Sequence, residues 1–151
     1  MSRVFISRQT GAAVFVFAAD HCPPHVHARH RGEGWVARVE FSYLSSDLGL
    51  ISVTPLKATP PRAVIRRLMD DIGDQIPALR AVWWDVRGST CLENRWLVLR
   101  EDGGAEVSTR MSPDAARIDA ADYDPDRRCL ILWPVGLPPV EIDISPEEVA
   151  R

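Results

Sequence analysis

The stretch that follows Thr59-Pro60-Pro61 limits the possible folds most, because apolar residues recur along it at helical spacing. A threonine can cap a helix, and proline suits the first turn because its missing N–H needs no partner there. Pro77 lies inside the pattern and must kink the helix or split it in two. The sequence therefore predicts one main amphipathic helix at about residues 60–84. Its apolar face comprises Ile65, Leu68, Met69, Ile72, Ile76, Leu79 and Trp83.

Short runs of apolar, β-branched and aromatic residues precede this helix and predict strands. They cover residues 4–6, 13–18, 25–30, 35–41 and 48–53. The glycine-bearing turns at 8–11 and 31–34 join neighbouring runs into hairpins. The segment 20–24 ends in two prolines, which cannot donate to a β-ladder and therefore interrupt the strands. We expect a small antiparallel β-sheet before the main helix.

After the helix the sequence returns to short strand-like runs, at residues 95–100, 105–109, 116–123, 129–133 and 140–144. Ser145-Pro146-Glu147-Glu148 has the form of a capping box and predicts a short terminal helix. The expected fold class is therefore α+β, with a β-rich C-terminal half. We place a histidine-bearing α+β domain at residues 1–84 and an acidic β-rich domain at residues 85–151. No flexible linker marks this boundary, so the two halves could instead share one core.

Charge is distributed unevenly along the chain, although its net value is only −3. Residues 1–83 carry 10 Arg and Lys against 7 Asp and Glu, whereas residues 84–151 carry 8 against 14. Such a difference predicts either two surfaces that attract each other or one half that meets an anionic partner. An excess this small also arises by chance.

The three cysteines lie far apart and form no CxxC pair, so the sequence predicts neither a disulfide framework nor a thiolate zinc site. A reducing cytoplasm is the expected location. The apolar run at residues 12–19 is too short to span a bilayer and alternates like a strand. We therefore expect no membrane association.

All four histidines fall between residues 21 and 30. If residues 25–30 form a strand, His25, His27 and Arg29 project from one face, with neighbouring side chains roughly 6.6 Å apart. Asp20 lies close by in sequence. Two imidazoles beside a guanidinium and a carboxylate are suited to acid–base catalysis on a phosphodiester or to gripping an anion such as a nucleic acid. Our candidate catalytic residues are His25, His27, Asp20 and Arg29.

The same cluster allows two other interpretations. His25, His27 and His21 could hold a divalent metal, but a catalytic zinc usually takes three protein ligands, and the third could also be Asp20 or a residue far away in sequence. The charge of Arg29 opposes a nearby cation. No other cofactor is indicated. Alternatively, histidines beside Pro23-Pro24 simply hydrogen-bond backbone carbonyls and have a structural role.

The segment Asp20-His21-x-Pro23-Pro24-His25-x-His27 resembles a family of small bacterial proteins of unknown function whose hallmark is DHxPPHxH. That family also has a downstream helix that opens like Pro61-Arg62-Ala63 here. The resemblance covers roughly residues 1–88, and Val26 departs from the aromatic residue more common between the two histidines. It transfers only the motif positions and no catalytic role.

The C-terminal half more loosely resembles a second small family that commonly neighbours the first. The matching features are Arg95-Trp96-Leu97-Val98-Leu99, Trp133-Pro134-x-Gly136 and Ile144-Ser145-Pro146-Glu147. The two families are also described as a toxin and an antitoxin, the DhiT and DhiA types. The resemblance implies a toxin–antitoxin-like module in which the basic half contacts an anionic target and the acidic half binds or masks it. The alternative is a non-catalytic adaptor that binds a protein partner or itself.

Overall fold

The computed structural model describes residues 1–102 and 104–144. The chain divides into two compact units, Met1–Gly88 and Ser89–Arg151, which we call the first and second unit. The predicted α+β class with one main helix is wrong. The described residues are mostly β, with two antiparallel five-stranded sheets and two α-helices. The predicted terminal helix at 145–148 lies outside the described residues.

The sheet of the first unit is an antiparallel meander in which each strand pairs with the next along the chain. The apolar, β-branched and aromatic runs correctly located each strand; the ends of β3 are as predicted, and no other end differs by more than two residues. The strands are β1 (Ser2–Ile6), β2 (Ala13–Val16), β3 (His25–His30), β4 (Trp35–Glu40) and β5 (Gly49–Thr54).

Two helices replace the single predicted one: α1 (Arg62–Gly73) and α2 (Ile76–Arg87). Pro77 occupies the first turn of α2, where its missing N–H costs nothing, and a continuous helix would have placed it in the interior. The apolar spacing continues across the break, which is why periodicity alone predicted one helix. The expected threonine cap is also wrong, because Thr59 Oγ1 donates to the carbonyl of Leu56.

The core of the first unit contains alternate residues of β2, β3 and β4 and one side of each helix, all without solvent exposure. These residues are Val14, Val16, Val26, Ala28, Trp35, Ala37, Val39, Leu68, Ile72, Leu79 and Trp83. Cys22, in the loop before β3, is disulfide-bonded, which corrects the expectation of reduced cysteines. Neither helix is long and apolar enough to cross a membrane.

The second unit contains β6 (Trp96–Leu99), β7 (Ala105–Ser108), β8 (Ala116–Asp124), β9 (Cys129–Pro134) and β10 (Val140–Asp143). They form an antiparallel sheet in the order β10-β9-β8-β6-β7. Its buried cluster consists of Leu97, Ile118, Ala121 and Leu132. Cys91 of this unit is disulfide-bonded, and Cys129 is a free, buried thiol.

Candidate functional site

The turn after β2 holds Asp20 in place. The backbone N–H of Phe17 donates to Asp20 Oδ2 over 2.8 Å, and the N–H of Asp20 donates to the carbonyl of Phe17 over 3.1 Å. Aspartate favours such turns because its side chain can accept from a nearby backbone N–H. With Oδ2 engaged, the other carboxylate oxygen, Oδ1, faces β3.

His25 begins β3 and is only 2% exposed. Its Nδ1 lies 2.9 Å from the carbonyl oxygen of Pro23, which can only accept, so Nδ1 carries a proton. Its ring lies 5.5 Å from that of Trp83 on α2, measured between centroids. One nitrogen of His25 is therefore fixed by the backbone, as the structural interpretation predicted, and Nε2 points elsewhere, 3.4 Å from Asp20 Oδ1.

His27 lies two positions further along the same face of β3, with its ring centroid 5.1 Å from that of His25. Its Nε2 donates to Asp20 Oδ1 over 3.0 Å. The ring is held by an edge contact with Phe17 at 4.6 Å and a parallel one with Phe15 at 6.2 Å. The two imidazoles therefore point together as predicted, but the expected access from solvent is limited, because His25 is buried and His27 is only partly exposed. We call Asp20, His25 and His27 the His–Asp cluster.

The pKa of the Asp20 carboxyl is lowered. Burial alone would raise this pKa, but the hydrogen bonds from the Phe17 N–H and from His27, with the charges of both histidines, outweigh that effect. The carboxyl is therefore an anion at neutral pH. An anionic oxygen beside two imidazoles is a favourable arrangement for attracting a proton or a cation.

Arg38 on β4 also lies beside the His–Asp cluster. It was not among the site residues predicted from the sequence. Its Nη2 lies 3.4 Å from His25 Nε2. The register of the β3–β4 hairpin pairs Arg38 with His27, and directly paired residues in an antiparallel sheet share a face. The turn at residues 31–34 alone predicts this register. Counting residue pairs away from the turn along both strands would have paired Arg38 with His27.

Arg29 does not join the histidines as predicted. Its guanidinium lies over the ring of Phe15, 5.7 Å from the centroid, and lines a groove of about 440 Å³. Arg3, Arg31 and His30 also line this groove, which we call the arginine groove. Phe15 thus stands between His27 and Arg29, on the same sheet face as both. None of the described residues lining the groove is acidic.

His30 contributes a donor to the arginine groove. Its Nδ1 accepts the backbone N–H of Glu33 over 3.0 Å, so a neutral ring carries its proton on Nε2. Nε2 faces Gly11 across the groove, 3.8 Å from the point that a Cβ there would occupy. The ring stacks on Trp35 at 5.4 Å. The carboxylate of Glu33 accepts from Trp35 Nε1.

Of the third metal ligands considered from the sequence, His21 is exposed and lies outside the His–Asp cluster, whereas Asp20 lies within it. The group that could hold a metal consists of Asp20, His25 and His27, whose potential ligand atoms lie within 4.8 Å of one another. Comparisons of the chain with family profiles, with curated proteins and with solved structures found no match. The chemistry of these two neighbouring sites therefore carries the functional argument.

Proposed function

We propose that the first unit binds nucleic acid through the arginine groove, and that the chain is a toxin–antitoxin-like module. The observation that supports this most directly is the set of three arginines and one histidine donor around a single groove. Guanidinium groups bind phosphate bidentately and stay charged at every physiological pH. A groove of this composition, with no carboxylate among its described lining residues, favours phosphate groups over neutral or cationic ligands.

The groove suits the phosphate backbone better than the bases. Base stacking needs an accessible aromatic face, and Phe15 is only 4% exposed. Its ring supports Arg29 instead. Contacts made to phosphates position a nucleic acid without reading its sequence. We therefore propose binding with little sequence preference and strong salt dependence.

In this proposal the acidic half competes with nucleic acid for the basic surface of the first unit. Residues 84–151 carry six more acidic than basic side chains, so this half repels a polyanion and attracts a basic surface. The resemblance of the two halves to a toxin family and its antitoxin neighbour favours the same assignment of roles. Under this proposal the acidic half masks the first unit and lowers its affinity for nucleic acid.

Binding is tested by titrating the full chain into fluorescently labelled single-stranded RNA and DNA at several salt concentrations. We expect Arg31→Gln, which changes an exposed turn residue, to weaken binding and to lower the salt slope by about 0.7. Arg66→Gln, an exposed charge on α1, is the matched control and should leave the slope unchanged. Absence of binding at low salt, or equal losses in both variants, would show that the groove does not hold nucleic acid.

Masking is tested by inducing residues 1–88 alone in bacteria, and again together with residues 89–151. We expect growth arrest with the first and recovery with the second. Circular dichroism of the purified fragment establishes whether it is folded. A folded fragment that leaves growth unaffected refutes the toxin assignment.

A second candidate function, self-association, is supported by the edge strand β5. Leu50 and Ile51 on this strand are about half exposed, and Leu56 just beyond it is 88% exposed. An open edge with apolar side chains can pair with a second copy. Light scattering of the full chain and of Ile51→Lys decides the matter, because a strict monomer at high concentration excludes it.

The cytoplasmic location remains part of the proposal, but the disulfide-bonded state of Cys22 argues against it, since disulfides are rare in a reducing compartment. Cell fractionation combined with thiol labelling under denaturing conditions tests it. Protein recovered in the cytoplasmic fraction would support the proposed location.

A further inference from the structure

Three potential ligand atoms converge where β3 begins. Asp20 Oδ1 lies 3.4 Å from His25 Nε2 and 3.0 Å from His27 Nε2. We propose that these three atoms form a binding site for a divalent transition metal of the Zn²⁺ or Co²⁺ type. This inference is independent of the nucleic-acid proposal, because none of the three proposed ligands lines the arginine groove.

The two separations that involve Asp20 Oδ1 match those of a metal site. Two ligand atoms that each lie about 2.1 Å from an ion are roughly 3.0–3.4 Å apart for angles between about 90° and 110°. Both distances to Asp20 Oδ1 fall in this range. Imidazole and carboxylate ligands together suit zinc and related metals rather than calcium or magnesium, which take mainly oxygen.

Each ligand is also oriented by a second contact. Histidines that bind metals usually donate their other ring N–H to a carbonyl or carboxylate, as His25 Nδ1 does to Pro23. Asp20 Oδ2 is similarly held by the Phe17 N–H, and the His27 ring is held by two phenyl rings. The side chains therefore lose little conformational freedom when an ion binds.

The contact between His25 Nε2 and Asp20 Oδ1 supports the proposal from another direction. Because Nδ1 of a neutral His25 carries the proton, Nε2 presents a lone pair to an anionic oxygen only 3.4 Å away. Two acceptors at this distance repel each other unless a cation or a proton satisfies both. A metal ion satisfies both, displaces the proton that His27 Nε2 donates to Asp20, which is released to solvent or moves to Nδ1, and leaves a coordination position for water or for a substrate oxygen.

Arg38 competes with the ion. Its Nη2 lies 3.4 Å from His25 Nε2, where it shares the lone pair that the metal needs. The guanidinium and an ion bound to the same nitrogen would repel each other, because both are positively charged. Arg38 is exposed and can move toward solvent, and we expect its position to set the metal affinity without preventing binding.

The test is a titration of the chelator-treated full chain with Co²⁺ and Zn²⁺. Binding is measured by the visible absorption of Co²⁺ and by calorimetry. We expect one equivalent to bind and His27→Gln and Asp20→Asn each to weaken binding at least about tenfold. His21→Gln is the matched control, because it removes the ligand that the sequence suggested and should leave the affinity unchanged. Circular dichroism shows which variants are folded.

Arg38→Gln tests the proposed metal site without altering any of its ligands. We expect it to tighten Co²⁺ binding, because it removes the competing charge and leaves all three ligands intact. Three outcomes overturn the proposal: no saturable binding by the wild-type chain, unchanged affinity in folded Asp20→Asn and His27→Gln, or an equal loss in His21→Gln. Unchanged or weaker binding by Arg38→Gln overturns the role given to Arg38.

Discussion

The Nε2 nitrogen of His27 donates a hydrogen bond to Asp20 Oδ1 over 3.0 Å and so ties β3 to the turn that follows β2. Asn at position 20 retains only one of the two side-chain oxygens that accept hydrogen bonds from Phe17 and His27. It also lacks the negative charge that strengthens the hydrogen bond from His27. We therefore expect Asp20→Asn to lower the free energy of unfolding by about 1–3 kcal/mol.

Urea denaturation of chelator-treated protein measures this loss, so that any bound metal does not contribute. Asp70→Asn is the control, because its side chain is exposed on α1 and it removes the same charge. An equal effect of both substitutions would mean that net charge, and not the His27–Asp20 bond, accounts for the change in stability.

Asp71 joins α1 to the β1–β2 turn, and its contacts predict a pH dependence. Ser7 Oγ donates to Asp71 Oδ2 over 2.6 Å, and the Gln9 side chain donates to Oδ1 over 2.8 Å. Burial would raise the pKa of Asp71, but these bonds outweigh it and lower the pKa below 3.8. The unfolded chain then binds more protons than the folded one, so this contribution is complete above pH 3.8 and is lost as the pH falls through the folded pKa.

We expect Asp71→Asn to be less stable than wild type at pH 7 and to lose less stability between pH 5 and pH 2. Urea denaturation at a series of pH values gives both curves. The neighbouring Asp70→Asn should follow the wild-type curve, because that carboxyl is exposed. Parallel curves for wild type and Asp71→Asn would contradict the assignment.

The strands were predictable because alternation of apolar and polar residues reports a buried face directly. The limits of β3 follow from the prolines before it and the turn after it, and the shared face of His25 and His27 follows from the two-residue period of a strand. The sequence did not predict that the helix would be divided in two, because the apolar spacing of α1 and α2 continues across residues 74–75. The proline restricted the possibilities to a kink or a split, and the structure has the split.

The site was predictable only in part, because its members come from different elements. Asp20 and His21 are neighbours in sequence, yet the turn closed by Phe17 directs Asp20 toward β3 and leaves His21 exposed. Arg3 reaches the arginine groove through a β1–β2 register that shifts between Arg3 and Phe5. No local pattern encodes such a shift, so Arg3 could not be placed from sequence.

Arg80 of α2 is 5% exposed and holds the segment that follows β4. Its Nε donates to the carbonyl of Ser42 and its Nη2 to that of Ser45, each over 2.9 Å. Arg80→Met keeps the length of the side chain but leaves both carbonyls without this donor. We expect a loss of about 2–3 kcal/mol, because hydrogen bonds from charged groups are stronger than neutral ones and two of them are lost together.

Arg87→Met is the matched control for Arg80→Met. Arg87 also lies on α2 and donates to a carbonyl, that of Ala18, but its side chain is exposed. Tryptophan fluorescence during urea denaturation compares the two, since Trp83 is buried on the same helix. Equal losses would show that burial adds nothing to the contribution of Arg80.

Two glycines near the ends of the helices should respond to alanine with opposite signs. Gly88 follows α2 with a φ of +62°, and its N–H donates to the carbonyl of Trp84. A Cβ there meets nothing within 4 Å, so the cost of Gly88→Ala is conformational, about 1–2 kcal/mol for a left-handed residue.

Gly73 ends α1 with ordinary helical geometry, and a Cβ would lie 3.8 Å from Leu48 Cδ1, a normal contact. Gly73→Ala should therefore stabilise the unit by about 0.5 kcal/mol through lower entropy of the unfolded chain. Thermal unfolding of the two variants beside wild type measures both effects, and a Gly88→Ala variant as stable as wild type would contradict the left-handed cap.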